Sequence, residues 1–134
     1  MNTRVALGVV CRYSLRSGYE VRGSDSALHR LAETLLTSAS SRMPTRIQCD
    51  DSSEVAPYDE SIKNIEIAPS TSRSLQISYA PSEMRISGGP DPMRLLATNL
   101  EALIAGDAPH IHVEHYPGHF YLSDRSVPVV VTRT

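Results

Sequence analysis

Two segments of the chain repeat the same helical pattern of apolar residues, 65 positions apart. In each segment apolar residues recur at spacings of three and four, which places them on one face of an α-helix. The sequence therefore predicts two amphipathic helices. Their apolar residues are Leu28, Leu31, Ala32, Leu35, Leu36 and Ala39 in the first, and Met93, Leu96, Ala97, Leu100, Leu103 and Ile104 in the second.

The match continues on both sides of the two helices. Gly23 aligns with Gly88 and Pro44 aligns with Pro109. Two strand-like runs precede each helix and two follow it, and unrelated helices would not keep these flanking runs in step. We therefore predict a tandem duplication of a ββαββ unit. The strand-like runs are 5–13, 19–22, 45–49 and 62–67 in the first unit, and 75–79, 84–87, 110–115 and 127–132 in the second.

The predicted fold class is α+β. Short connections within each strand pair favour hairpins, so we expect a mostly antiparallel sheet of about eight strands with both helices on one face. The chain of 134 residues is expected to form a single domain built of two repeats, about 1–69 and 70–134. Ser24–Ser26 supplies candidate N-caps for the first helix. In the second, we expect Asp91 as the N-cap, Pro92 at the first helical position and Gly106 just past the end.

Charge and hydropathy restrict the partners and the location of the chain. Thirteen Lys and Arg residues against fifteen Asp and Glu residues give a net charge of -2, so we predict no nucleic-acid binding. The apolar stretch Val5–Cys11 ends at Arg12 without a small-residue cleavage site, which argues against a secretory signal. No run approaches the roughly 20 apolar residues of a membrane helix. We therefore expect a cytoplasmic protein without a membrane partner, whose Cys11 and Cys49 are reduced.

One strand-like run is rich in metal-ligand side chains. On a strand, His110, His112 and Glu114 project from the same face, and imidazole and carboxylate groups are ligands of zinc and non-haem iron. A row of polar side chains on an exposed or interface face of a sheet has the same pattern without a metal. We favour the exposed face and keep a metal site as the alternative.

Other signatures of catalysis are missing from the sequence. The chain contains no Gly-x-Ser-x-Gly elbow, no phosphate-binding loop and no dinucleotide-binding fingerprint. We therefore predict a non-enzymatic binding protein that needs no cofactor.

Two long loops between the last strands of each unit are candidate partner-binding segments. The loop Asp50–Ser61 carries five acidic residues and no basic residue, and the loop Glu114–Ser126 holds three of the seven aromatic residues of the chain. Acidic groups attract a basic partner, and aromatic residues dominate interface energies. We expect both loops to lie at one end of the fold. The predicted partner-binding residues are Tyr58, Asp59, Glu60, Tyr116, His119, Phe120 and Tyr121.

The C-terminal part of the chain also resembles a known family. The run His110–His119, followed by Tyr121, Leu122, Ser126 and Pro128–Val131, is similar to the C-terminal signature of the immunity protein 32 family of bacterial polymorphic toxin systems. Ile86–Pro90 and Leu95–Leu100 resemble that family as well, so the resemblance covers about the last 60 residues. It implies a small cytosolic α+β protein, encoded beside a toxin, that binds and neutralises this toxin.

Two other functions stay open from the sequence. The first is a metal-binding protein or small metalloenzyme that uses His110, His112 and Glu114. The second is a clamp-like or oligomeric assembly module, in which a homodimer would form through sheet edges or through the apolar run Val127–Val131.

Overall fold

Strands and helices follow one another along the chain in an α+β arrangement, which confirms the predicted class. The computed structural model describes residues 3–51, 54–117, 119 and 121–134. The elements are β1 (Thr3–Ala6), β2 (Val10–Ser14), β3 (Gly18–Gly23), α1 (Asp25–Ser41), β4 (Thr45–Gln48), β5 (Glu60–Ile62), β6 (Asn64–Pro69), β7 (Gln76–Ala80), β8 (Glu83–Gly88), α2 (Pro90–Ala105), β9 (His110–Val113) and β10 (Val129–Arg133).

The strands form two mixed sheets of five strands each. The first sheet has the order β1-β4-β6-β8-β7 and the second has the order β5-β2-β3-β10-β9. The expectation of a single sheet of about eight strands is therefore wrong, whereas five of the eight strand pairings among the described residues are antiparallel, as expected. The predicted hairpins β2/β3 and β7/β8 do form, but β3 pairs in parallel with β10 and β6 pairs in parallel with β8.

Each helix carries the chain from one sheet to the other. α1 connects β3 of the second sheet to β4 of the first, and α2 connects β8 of the first sheet to β9 of the second. Each sheet thus contains strands from both halves of the sequence. Local periodicity gives the position of a strand along the chain but not its partner across the sheet. The strand order alone does not confirm the predicted duplication.

Glycine decides where one predicted strand is divided. The run Val5–Tyr13 was expected to form a single strand, but Gly8 has a φ of +81° and separates β1 from β2. This left-handed conformation favours glycine, because it carries no Cβ. β1 then joins the first sheet and β2 joins the second.

The two helices begin differently. Ser24 caps α1, and its hydroxyl oxygen accepts a hydrogen bond from the Ala27 amide at 3.1 Å, as the sequence predicts. The N-cap of α2 is Gly89 rather than Asp91, and Pro90 takes the first helical position instead of Pro92. The Gly89 amide donates to the Ser72 carbonyl oxygen at 2.9 Å, and a Cβ on Gly89 would lie 2.5 Å from that oxygen. This close approach fixes the start of the helix.

Both helices and both sheets contribute to one cluster of buried apolar side chains. The predicted apolar faces are confirmed in most positions, although Leu36 is 40% exposed. Each large aliphatic side chain removed from water contributes roughly 1.5–3 kcal/mol to stability. No helix in the described part of the chain has the length and apolar character needed to cross a bilayer.

Candidate functional site

The loop from 50 to 61 lies along β2 and is attached to it at both ends. The Asp50 amide donates to the Val9 carbonyl oxygen at 2.8 Å, and the Asp59 amide donates to the Tyr13 carbonyl oxygen at 2.9 Å. The loop therefore starts beside the beginning of β2 and finishes beside its end. Residues 52 and 53 lie outside the described part of the chain.

The predicted acidic binding residues of this loop also make contacts within the protein. One carboxylate oxygen of Asp59 accepts from the Leu15 amide at 3.1 Å. Oε1 of Glu60 accepts from the Tyr79 hydroxyl at 3.0 Å and from the Ser82 amide at 3.3 Å. These two side chains thus hold the loop to neighbouring turns, while Asp59 stays exposed and Glu60 is half-buried.

Tyr58 lies beside a buried arginine that the sequence analysis did not select. The guanidinium carbon of Arg12 lies 4.5 Å from the centroid of the Tyr58 ring, a cation–π arrangement. Burial raises the pKa of Tyr58, and the nearby Glu20 carboxylate raises it further. A lone arginine in the middle of a predicted strand gives little signal in the sequence, because most such residues face water.

The second loop places its aromatic residues at very different depths. Tyr116 is 57% exposed, whereas Tyr121 is 4% exposed and its hydroxyl accepts a hydrogen bond from the Asn99 side-chain amide. Tyr121 is therefore a core residue with almost no surface of its own to offer a partner. Burial raises its pKa. Phe120 lies outside the described residues.

His119 connects the exposed and the buried tyrosine. Its ring centroid lies 4.9 Å from that of Tyr116 and 4.6 Å from that of Tyr121, edge to face in both cases. Nδ1 of His119 accepts hydrogen bonds from the backbone amides of Tyr121 at 3.3 Å and Leu122 at 3.1 Å. Burial lowers the pKa of His119, and the neighbouring His115 lowers it further. Nδ1 can accept these two hydrogen bonds only while it carries no proton, and the lowered pKa favours that state.

The strand directions place parts of both loops at the same end of the second sheet. β2 and β9 end there, and β3, β5 and β10 begin there. We call residues 14–17, 57–60, 114–117 and 119 the loop end. β5 and β9 are the opposite edges of this sheet, and four strand spacings of about 4.8 Å separate them by roughly 19 Å.

The turn between β2 and β3 adds an apolar residue that the sequence analysis did not consider. Leu15 is 86% exposed, and it lies in the turn between β2 and β3, inside the β5 and β9 edges of the sheet. Beside it, a concavity of about 430 Å³ is lined by Ser14, Arg16, Ser17, Pro57, Tyr58 and Asp59. An exposed leucine in a turn is a pattern that the sequence shows, but only the pairing of β2 with β5 places it beside the acidic loop.

The three candidate metal ligands do not form a metal site in the described part of the chain. His110 and His112 are exposed, and their ring centroids lie 5.1 Å apart in an edge-to-face arrangement. Within the described ranges, no group of three His, Cys, Asp or Glu side chains is arranged to hold a metal ion. The structure thus gives no support to the metal alternative with Glu114 as the third ligand.

The last strand does not offer an edge for self-association. β10 lies between β3 and β9, so both of its edges are paired. Val129 and Val131 are buried in the core. The predicted homodimer through the run Val127–Val131 is therefore wrong where it relies on strand pairing by β10. The backbone N–H and C=O groups of β10 already pair with β3 and β9 of the same chain.

Comparison with known proteins agrees with the resemblance found in the sequence. The family model described as Immunity protein 32 matches residues 83–134, which confirms the resemblance over the C-terminal region. This segment contains β8, α2, β9 and β10, and it includes the exposed part of the second loop. No curated protein and no solved structure matches the chain.

Proposed function

We propose that this protein is an immunity protein that neutralises a cognate toxin by binding it directly, without catalysis. The match of residues 83–134 to the Immunity protein 32 family carries this proposal. An inhibitor of this kind needs a rigid scaffold with a preformed surface. The two sheets and two helices share one core, which suits that requirement.

The loop end is the surface that we propose to contact the toxin. It combines the exposed side chains of Tyr116 and Leu15 with carboxylates that include Asp59. Exposed aromatic and aliphatic side chains supply anchors at protein interfaces, and acidic groups favour a cationic partner. The roughly 19 Å between the sheet edges fits within the width of about 32 Å that a circular interface of about 800 Å² on each partner would have. The His119 ring packs against Tyr116 on one side and Tyr121 on the other, and so links the exposed ring to the core.

We also infer that the two halves of the chain, about 1–69 and 70–134, arose by duplication and together form one domain. Strand register supports this inference. Thr45 pairs with Ile67 in β4/β6, and His110 pairs with Thr132 in β9/β10. Both residues of the second pair lie 65 positions beyond those of the first, the same separation as that of the two helical patterns.

Co-expression with the toxin encoded beside the gene tests the proposed function. Cells that produce the toxin domain should grow only when this protein is present, and the two purified proteins should form a stable complex. Protection without a complex would contradict direct binding. Protection lost on Tyr116→Ala, in a variant that unfolds like the wild type, would place the contact at the loop end.

Purification of the protein alone tests the remaining alternatives. Light scattering should report a monomer, and added zinc should not change the melting temperature. A stable dimer would favour the assembly module, and a zinc-dependent rise in melting temperature would favour the metal-binding protein.

A further inference from the structure

Arg12 is the only buried charged residue among the residues that the structure describes, with 8% of its surface exposed. Its Nε donates to Oε1 of Glu20 at 3.1 Å, and Nη2 donates to the same oxygen. Glu20 also accepts from the Thr132 hydroxyl through its other carboxylate oxygen at 3.2 Å. The carboxylate therefore holds the guanidinium in one orientation on the outer side of β2 and β3.

The Nη1 atom and the planar face of the guanidinium contact the loop. Nη1 of Arg12 lies within hydrogen-bond distance of three consecutive carbonyl oxygens, those of Glu54 at 3.3 Å, Val55 at 3.4 Å and Ala56 at 3.2 Å. The Tyr58 ring packs on the same group at 4.5 Å. One side chain thus contacts four residues of segment 54–58, which belongs to no strand.

A lysine could not make the same contacts. The guanidinium offers donors in several fixed directions and a planar face for the tyrosine ring, whereas an ammonium is a single point with three donors. Lysine at position 12 could pair with Glu20 or with the loop carbonyls, but it could not hold both and stack on Tyr58.

We propose that Arg12 is a positioning residue for toxin binding. It fixes segment 54–58, and with it Tyr58 and Asp59 of the loop end, in the conformation that the toxin recognises. Arg12 itself is too buried to reach the toxin. This inference rests on the proposed function, and it adds that affinity depends on how rigidly the sheet holds the acidic loop.

The expected effect follows from the fraction of molecules with a competent loop. The apparent affinity falls in proportion to that fraction. If the loop of an Arg12→Lys variant is correctly placed in about one molecule in ten, toxin affinity drops roughly tenfold, mainly through slower association.

Hydrogen exchange and binding kinetics on the full-length protein test the inference together. Arg12→Lys should accelerate amide exchange over residues 54–61 and lower the association rate. Arg46→Lys is the matched control, because Arg46 also lies in mid-strand and pairs with the carboxylates of Glu66 at 2.9 Å and Glu83 at 3.5 Å. This control should change neither quantity.

Substitutions at position 58 give a second and milder test, should Arg12→Lys fail to fold. Tyr58→Phe keeps the ring that packs on Arg12 and should leave amide exchange over residues 54–61 unchanged. Tyr58→Leu removes the stacking partner and should accelerate this exchange, and unchanged exchange would overturn the role of the Arg12–Tyr58 contact.

The outcomes separate the inference from the function on which it rests. Unchanged exchange in Arg12→Lys, or faster exchange with unchanged toxin affinity, overturns the role of Arg12 and leaves the immunity function standing. If the wild-type protein binds no toxin, the proposed function fails and the inference fails with it.

Discussion

The hydroxyl of Tyr19 provides a measurable link between the two sheets. Tyr19 lies on β3 of the second sheet and is 0% exposed, and its hydroxyl donates to the carbonyl oxygen of Glu83 on β8 of the first sheet at 2.6 Å. Its ring packs against Tyr13 with centroids 4.8 Å apart. The Tyr19→Phe substitution removes only the hydroxyl and keeps the ring.

The expected loss of stability follows from the burial of this bond. Removing one partner of a buried hydrogen bond costs about 1–3 kcal/mol, because the remaining group has neither a protein partner nor water. For a chain of this length, that loss lowers the melting temperature by roughly 4–12 °C. Urea unfolding followed by circular dichroism measures the free energy directly.

Tyr79 offers a matched control for this substitution. Its hydroxyl donates to Oε1 of Glu60 at 3.0 Å, but the residue is 40% exposed, so water can replace the bond. Tyr79→Phe should therefore change the unfolding free energy by less than about 0.5 kcal/mol. A Tyr19→Phe variant as stable as wild type, or no less stable than Tyr79→Phe, would refute the buried link between the sheets.

Three further predictions concern the loop end and the core. Tyr116→Ala removes a side chain with on the order of 100 Å² left to bury, so toxin affinity measured by calorimetry should fall by about 2.5 kcal/mol, or roughly seventyfold. Stability should decline as pH falls below about 6.5, because the folded protein holds His119 below its usual pKa while the unfolded chain takes up the proton. In the native protein, Cys11 should react slowly with a thiol reagent at neutral pH, since burial and the adjacent Cys49 raise its pKa.

Each of these measurements has its own control. Tyr121→Phe should leave direct toxin contacts intact, because that side chain is buried. A loss of toxin affinity equal to that of Tyr116→Ala would argue against Tyr116 as an anchor. His119→Asn retains an acceptor for the backbone amides and should flatten the acid side of the urea-midpoint profile; a profile that stays unchanged would assign the pH dependence elsewhere. Cys11 should react promptly in denaturant, and prompt reaction of the native protein would contradict its burial.

The contrast between Tyr116 and Tyr121 shows a limit of reasoning from composition. Both lie in a loop rich in aromatic residues, and nothing in the local sequence separates an anchor from a core residue. The difference arises because residues 121–123 pair with Leu75: the Leu75 amide donates to the Tyr121 carbonyl oxygen at 2.7 Å. This contact joins residues 46 positions apart and places Tyr121 against α2, while Tyr116 stays exposed.

The sequence by itself determined the two helices, their apolar faces, most strand positions and the resemblance of the C-terminal region, because helical periodicity and short motifs are local properties of the chain. Only the tertiary structure decided that the strands form two sheets, that β10 is an internal strand and that Arg12 contacts the acidic loop. These features depend on contacts between distant residues, whose partners are selected by packing around a shared core rather than by neighbours along the chain.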